Sequence, residues 1–280
     1  MGVKEFIEIT RPSNALFSGV AVLIGALVAG GGFTDIFKIV SVFFVAIFAC
    51  AGGNTINDYF DYEIDKINAP KRVLPRGAMN LMTAYRFSIM LFIISCIFAF
   101  MVNILAFSIC VAACILMYIY AMILKRKPFS GNILVSFLTS ITFIYGGTAV
   151  GSYKGVLILA LISFFAMVSR ELVKDIEDLE GDIKKGAKTL PAIIGESKTF
   201  SLAFVSLLIA AFLLYVPFVI GLYGYIYLGI VTPIVIFVFY ILYKILKHNE
   251  NSGAIQKNIK KAMYLVLLIF LLSALIYRIT

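Results

Sequence analysis

Apolar residues in this chain fall in long blocks and do not alternate with polar ones. Nine blocks, at residues 13–30, 37–57, 81–101, 104–124, 131–151, 155–174, 200–220, 225–246 and 260–279, are each about long enough for a helix to cross a bilayer, which takes roughly 20 residues. An open strand would leave backbone N–H and C=O groups unpaired in lipid, so the blocks predict helices. The fold class is therefore all-α: a polytopic membrane bundle of nine transmembrane helices. The polar stretches between blocks are unequal. Gly31 to Asp35, Asn103 and Gly224 mark short connections, whereas 58–80 and 171–199 are long and crowded with both charges.

Composition agrees with this reading. Hydrophobic residues make up 62% and charged ones 14% of 280, against roughly 25% charged in a soluble domain. A soluble core of this size has no place for so much apolar surface. The start, MGVKEFIEITRPSN, carries no cleavable leader pattern, so the first block is expected to be retained. Phe6 stands where a myristoylation signal needs Ser or Thr.

Charge sets the expected orientation. Twenty-one Lys and Arg residues lie on the side of the two long loops, and only Lys38, Lys154 and Arg278 lie on the other. The positive-inside rule then puts the N-terminus and the loops after even-numbered blocks in the cytoplasm, and the C-terminus outside. The net charge of +9 is accounted for by topology and by anions at those loops, not by nucleic acid. Cys50, Cys96, Cys110 and Cys114 all fall inside blocks without paired metal spacing across loops, which reads as buried free thiols. His248, the single His, sits at a loop edge and supports no His-based site.

The two long loops repeat each other. Asp58, Asp61, Glu63 and Asp65 precede Asp175, Asp178, Glu180 and Asp182 by a constant 117 positions, and Val73-Leu74-Pro75 is echoed by Thr189-Leu190-Pro191. The chain reads as a single domain, 1–280, built of two four-helix halves (blocks 1–4 and 5–8) and a ninth helix. Membrane folds with such repeats place sites where the halves meet.

On a helix, positions i, i+3 and i+7 share one face. Asp58, Asp61 and Asp65 do so, with Asn54 above them; Asp175, Asp178 and Asp182 do so, with Glu171 in the corresponding place. Gly181 is a candidate break before Asp182. Stacked carboxylates repel one another and call for positive charge. Hard oxygen donors favour Mg²⁺, which is held by one or two carboxylates together with substrate phosphate oxygens. Lys71, Arg72, Arg76, Lys125, Arg126, Lys127, Lys174 and Lys188 are the nearby cations that suit phosphate oxygens. The competing reading is two ordinary solvated helix ends; identical spacing at equivalent block ends weighs against it.

Asn54-x-x-Asn57-Asp58-x-x-Asp61-x-x-x-Asp65, paired with Lys174-Asp175-x-x-Asp178-x-x-Gly181-Asp182, resembles the signature of the UbiA-type intramembrane prenyltransferases. Arg11-Pro12-x-Asn14, Asn68-x-Pro70-x-Arg72 and Lys188-Thr189-Leu190-Pro191 extend the likeness over nearly the whole chain. The resemblance implies a bundle around a central cavity capped by the two polar loops. It implies a Mg²⁺ cofactor held by Asp58, Asp61, Asp65, Asp175, Asp178 and Asp182, with catalysis resting on Asp58, Asp61, Asp175 and Asp178. Substrate contacts are expected from Arg11, Asn14, Asn54, Asn57, Arg72, Arg76, Tyr120, Lys125, Arg170, Glu171, Lys174 and Lys188.

Some members of that family carry Tyr four residues before the second motif's first Asp. Here Arg170-Glu171-x-x-Lys174-Asp175 is similar instead to the branch of archaeal digeranylgeranylglyceryl phosphate synthases and chlorophyll-type synthases. The resemblance thus implies geranylgeranyl diphosphate as donor and the free hydroxyl of geranylgeranylglyceryl phosphate as acceptor, in ether lipid synthesis. Prenylation of a quinone precursor or of a haem- or chlorophyll-type acceptor is the alternative within the family. CDP-alcohol phosphotransferases also use Asp-rich membrane helices, but their motif opens Asp-Gly, a pair absent here. A secondary transporter would place charge or broken helices at the midplane. Pro217 and Pro233 fall inside blocks, but no carboxylate accompanies them.

Overall fold

The computed structural model describes residues 2–30, 35–153, 155–184, 189–247 and 251–279. Lys188 and His248 lie outside them, as do the side chains of Arg126, Glu180 and Asp182. Thirteen α-helices follow one another, with no strand among the described residues: α1 Val3–Ile9, α2 Pro12–Val28, α3 Ile36–Phe60, α4 Tyr62–Asn68, α5 Leu81–Val102, α6 Ile104–Met122, α7 Ser130–Val150, α8 Val156–Lys184, α9 Leu190–Ile194, α10 Glu196–Leu213, α11 Val216–Val219, α12 Tyr225–Lys247 and α13 Ser252–Ile279. Among the described residues, eight helical stretches are each long and apolar enough to cross a membrane. A ninth span arises if α1 and α2, bent 56° to each other, are taken as one. The chain is a multi-pass membrane protein whose helices follow the nine sequence blocks.

The chain divides into two compact units. The first holds residues 1–26, 31–124 and 145–152, and the second 27–30, 125–144 and 153–280.

In the first unit, α3 packs along α5 through small residues. A Cβ on Gly52 would lie 2.7 Å from the Phe92 ring of α5, and on the side facing α6 one on Gly53 would lie 2.8 Å from the Met117 sulfur. Ser88 donates to the Gly52 carbonyl at 2.9 Å, and Ser95 to that of Val45 at 3.0 Å. Helices in lipid gain little from burying apolar surface against one another, so close approach and serine hydrogen bonds hold this seam. Asn103 alone joins α5 to α6: its side chain accepts from the Ala106 N–H and donates to the Thr148 carbonyl, each at 2.8 Å.

The segment between α4 and α5 is anchored by an apolar cluster in which Ile9, Val73, Leu74, Met79 and Ala84 are buried. Val73 and Leu74 are thus fixed, so the arginines that flank them, Arg72 and Arg76, are held in defined places.

In the second unit α8 runs without interruption from Val156 to Lys184, so Gly181 does not break it. Ser206 of α10 donates to the Phe165 carbonyl of α8 at 2.7 Å, and Tyr227 of α12 donates to that of Leu214 at 2.7 Å. The residues around Pro217 form the short α11, and Pro233 lies within a continuous α12.

Candidate active site

The first acidic ridge begins inside α3 and crosses a joint. Asp61 separates α3 from α4, yet its N–H still donates to Asn57 O at 3.0 Å and its C=O accepts from Asp65 N at 2.8 Å. The helical sense is therefore kept through the joint, and the Asp58 and Asp65 carboxylates stay on one side. One guanidinium nitrogen demonstrates this: Arg72 Nη1 is 2.6 Å from Asp65 Oδ2 and 3.7 Å from Asp58 Oδ1. Asp58, Asp61 and Asp65 are 5%, 5% and 6% exposed, which is extreme for carboxylates. Buried charge of this kind persists only when it is paired.

Pairing comes from two arginines. Arg11 donates to Asp58 from the hinge between α1 and α2. It adopts φ of 50°, the left-handed region, which an ordinary residue occupies at a cost of about 1–3 kcal/mol. The hinge is fixed on α3 by Asn54, whose Nδ2 donates to the Thr10 carbonyl at 2.9 Å. Pro12, at the first position of α2, begins the new helix without a wasted N–H. Arg72 supplies the second pairing. Partial burial opposes its charge, but the hydrogen bond to Asp65 and the charges of Asp58, Asp65 and Asp61 outweigh that effect and hold its pKa above the usual arginine value.

Arg76 looks elsewhere. It makes a two-pronged pair with Glu8 of α1, at 2.7 and 2.8 Å. That contact locks α1 to the anchored segment. Asn57 and Tyr120 are half-buried, and Asn14 and Lys125 are exposed.

The second ridge, on α8, is built differently. Asp175 is half-buried and Asp178 exposed. Asn132, two residues into α7, donates from Nδ2 to Asp175 Oδ2 at 2.7 Å. One turn earlier on α8, Arg170 pairs with its neighbour Glu171. Lys174 is exposed. The backbone of Asp182 continues the helix.

Asn132 is the participant that motif reading misses. The signal was in the repeat: Arg11-Pro12 is followed by Asn14 and Lys127-Pro128 by Asn132, and these asparagines precede Asp58 and Asp175 by 44 and 43 positions.

Each ridge offers hard carboxylate oxygens beside amide donors and cations. That donor set fits Mg²⁺ carrying phosphate oxygens and suits no soft metal.

Comparison with known proteins gives the same direction. Residues 18–268 match the UbiA prenyltransferase family. The digeranylgeranylglyceryl phosphate synthase of Thermococcus kodakarensis is 41% identical over 99% of this chain and 100% of its own length. That of Thermococcus sibiricus is 44% identical over 98% and 99%. A solved structure described as a digeranylgeranylglyceryl phosphate synthase in membranes superposes with a TM-score of 0.88 at 36% identity, over 97% of this chain and 98% of that one. A UbiA homolog from Archaeoglobus fulgidus bound to GPP and Mg²⁺ shares the fold, with a TM-score of 0.72 at 18% identity over 95% and 98%.

Proposed function

Since the chain belongs to the UbiA prenyltransferase family, we propose that it moves a geranylgeranyl group from geranylgeranyl diphosphate to the free hydroxyl of geranylgeranylglyceryl phosphate. The enzyme class follows from the family; donor length and acceptor are the proposal. The observation that carries it is the buried Asp58–Asp61–Asp65 ridge with Arg11 and Arg72 already seated on it. Similarity to synthases of that name over full length supports the acceptor.

In this reading the bond between the allylic carbon and the diphosphate oxygen breaks, and the oxygen keeps the electron pair. The acceptor hydroxyl oxygen bonds to that carbon and gives up its proton. Asp58, Asp61 and Asp65, and Asp175, Asp178 and Asp182, would hold Mg²⁺, which when bound would supply positive charge against the departing diphosphate. Arg72 and Arg11 hold the carboxylates in place and present N–H donors to phosphate oxygens, where a preorganised donor acts most strongly on developing charge. Asn132 fixes the orientation of Asp175. Either Asp175 or Glu171 takes the acceptor proton in this reading. The N-terminus and the acidic segments lie on the cytoplasmic side in this reading and the C-terminus outside, as the charge bias supports.

The test is an acceptor panel. Purified protein with labelled geranylgeranyl diphosphate and Mg²⁺ is expected to consume donor with geranylgeranylglyceryl phosphate and not with 4-hydroxybenzoate. Product on the aromatic acid alone would reverse the acceptor assignment.

A further inference from the structure

The sequence offers no metal-like thiol spacing, but the fold creates one in the first unit. Cys96 on α5, and Cys110 and Cys114 one turn apart on α6, bring their sulfurs within 4.8 Å of one another. The Cys96 and Cys110 sulfurs are 3.9 Å apart. An ion about 2.3 Å from each of three sulfurs in a plane needs them roughly 4 Å apart.

The surroundings are arranged around that trio. Ser95 spends its one proton on the Val45 carbonyl, so at 3.1 Å from Cys110 it accepts that thiol's proton. The lone pairs of Cys110 stay available to the other two sulfurs. Tyr145 of α7 is 5% exposed and packs in the same core as Cys110 and Cys114. Its hydroxyl has no hydrogen-bond partner among the described residues. A buried polar group left so is costly and marks a place where something else belongs. Cys96 also lines an apolar groove of about 420 Å³ beside Phe92, Phe100 and Phe107, which gives the trio a path to the surface of the first unit.

We infer that Cys96, Cys110 and Cys114 form a binding site for one soft monovalent cation of the cuprous class. All-sulfur donors select a soft ion, and three of them fall one short of the tetrahedral set of structural zinc. Charge decides between valences. Delivered as a thiolate complex, a cuprous ion exchanges its carrier for Cys110: the carrier–metal bond breaks, the Cys110–metal bond forms, and the Cys110 proton passes to the carrier sulfur. Nothing is oxidised or reduced. Cys96 and Cys114 add neutral lone pairs, and the bound site carries no net charge, as an apolar interior requires. A divalent ion would need two thiols deprotonated for the same neutrality.

The test uses the full-length protein in detergent under anaerobic conditions, titrated with cuprous glutathione against a chromophoric chelator. One ion per chain is expected, with X-ray absorption reporting three sulfurs at about 2.3 Å. Bound copper should also raise the unfolding temperature by a few degrees, since it ties α5 to α6 in the native state alone. Cys110→Ser and Cys114→Ser should each weaken binding at least tenfold, and Cys50→Ser should leave it unchanged. Coordination by two sulfurs, by nitrogen or oxygen, or retention no greater than in the serine variants would overturn the site. The absorption measurement on unaltered protein decides the matter even where a variant does not fold.

Discussion

Asn132 donates a 2.7 Å hydrogen bond to Asp175, joining the start of α7 to the middle of α8 within the second unit. A carboxylate so held presents its remaining lone pairs in one direction. Removing such a supporting partner typically costs 10–100-fold in metal affinity or activity.

Asn132→Ala is accordingly expected to lower turnover by about 10–100-fold and to raise the Mg²⁺ concentration needed for half-maximal rate. A Mg²⁺ titration of initial rates reads both. An unchanged Mg²⁺ dependence would mean that Asn132 is only a packing residue.

Arg72→Ala leaves Asp65 and Asp58 without a shared partner. Loss of a charged hydrogen bond costs about 1–3 kcal/mol. The Arg72 side chain is 40% exposed, so water offsets part of this and the lower half of the range applies. Added Mg²⁺ should restore part of the lost thermal stability, because it supplies charge to the same carboxylates. Arg72→Lys should fall between, keeping the charge and losing the guanidinium fork. Calorimetry with and without Mg²⁺ distinguishes these outcomes.

Arg76 gives a contrast with Arg72. Its partner is Glu8, on the exposed rim, and not the acidic ridge. Arg76→Ala should leave turnover within about threefold, as removal of a surface pair does little. A turnover loss clearly beyond that would place Arg76 among the diphosphate contacts.

Packing makes a prediction independent of chemistry. A Cβ on Gly146 would come 2.2 Å from the Val22 carbonyl and 2.5 Å from the Ala26 nitrogen, both backbone atoms that have no room to yield. Gly146→Ala should destabilise by roughly 2–4 kcal/mol. Nothing lies within 4 Å of a Cβ on Gly229. Gly229→Ala in α12 should be neutral or stabilise by up to about 1 kcal/mol. Thermal unfolding in detergent compares the two.

These residues also show what the sequence made legible. The blocks located the spans because only helices satisfy their own backbone in lipid. The i, i+3, i+7 spacing placed Asp58 and Asp65 on one face, and Arg72 reaching both bears that out despite the joint at Asp61. What spacing did not carry is burial and partner choice. The two ridges look alike in sequence, yet Asp58 and Asp61 are buried while Asp178 is exposed. Arg72 and Arg76 look interchangeable, but the anchoring of Val73 and Leu74 points one at the aspartates and the other at Glu8. Asn132 and the thiol trio depend on contacts between helices, which no single-helix pattern records.

The difference in burial between the ridges gives the last prediction. Asp61→Asn and Asp178→Asn should each abolish measurable turnover if both ridges hold Mg²⁺ and diphosphate. Their effects on the fold should differ. Asp61 is 5% exposed and lies within the influence of Arg72, so its neutralisation removes charge that the arginine was offsetting. Its unfolding temperature should therefore shift by several degrees. Asp178 lies exposed near the end of α8, where a neutral amide meets water as readily as a carboxylate does; its unfolding temperature should stay within about one degree. In the unaltered protein EDTA should stop the reaction and excess Mg²⁺ should restore it. Full activity in Asp178→Asn, alongside an inactive Asp61→Asn, would confine metal binding to the first ridge and leave the second as a solvated helix end.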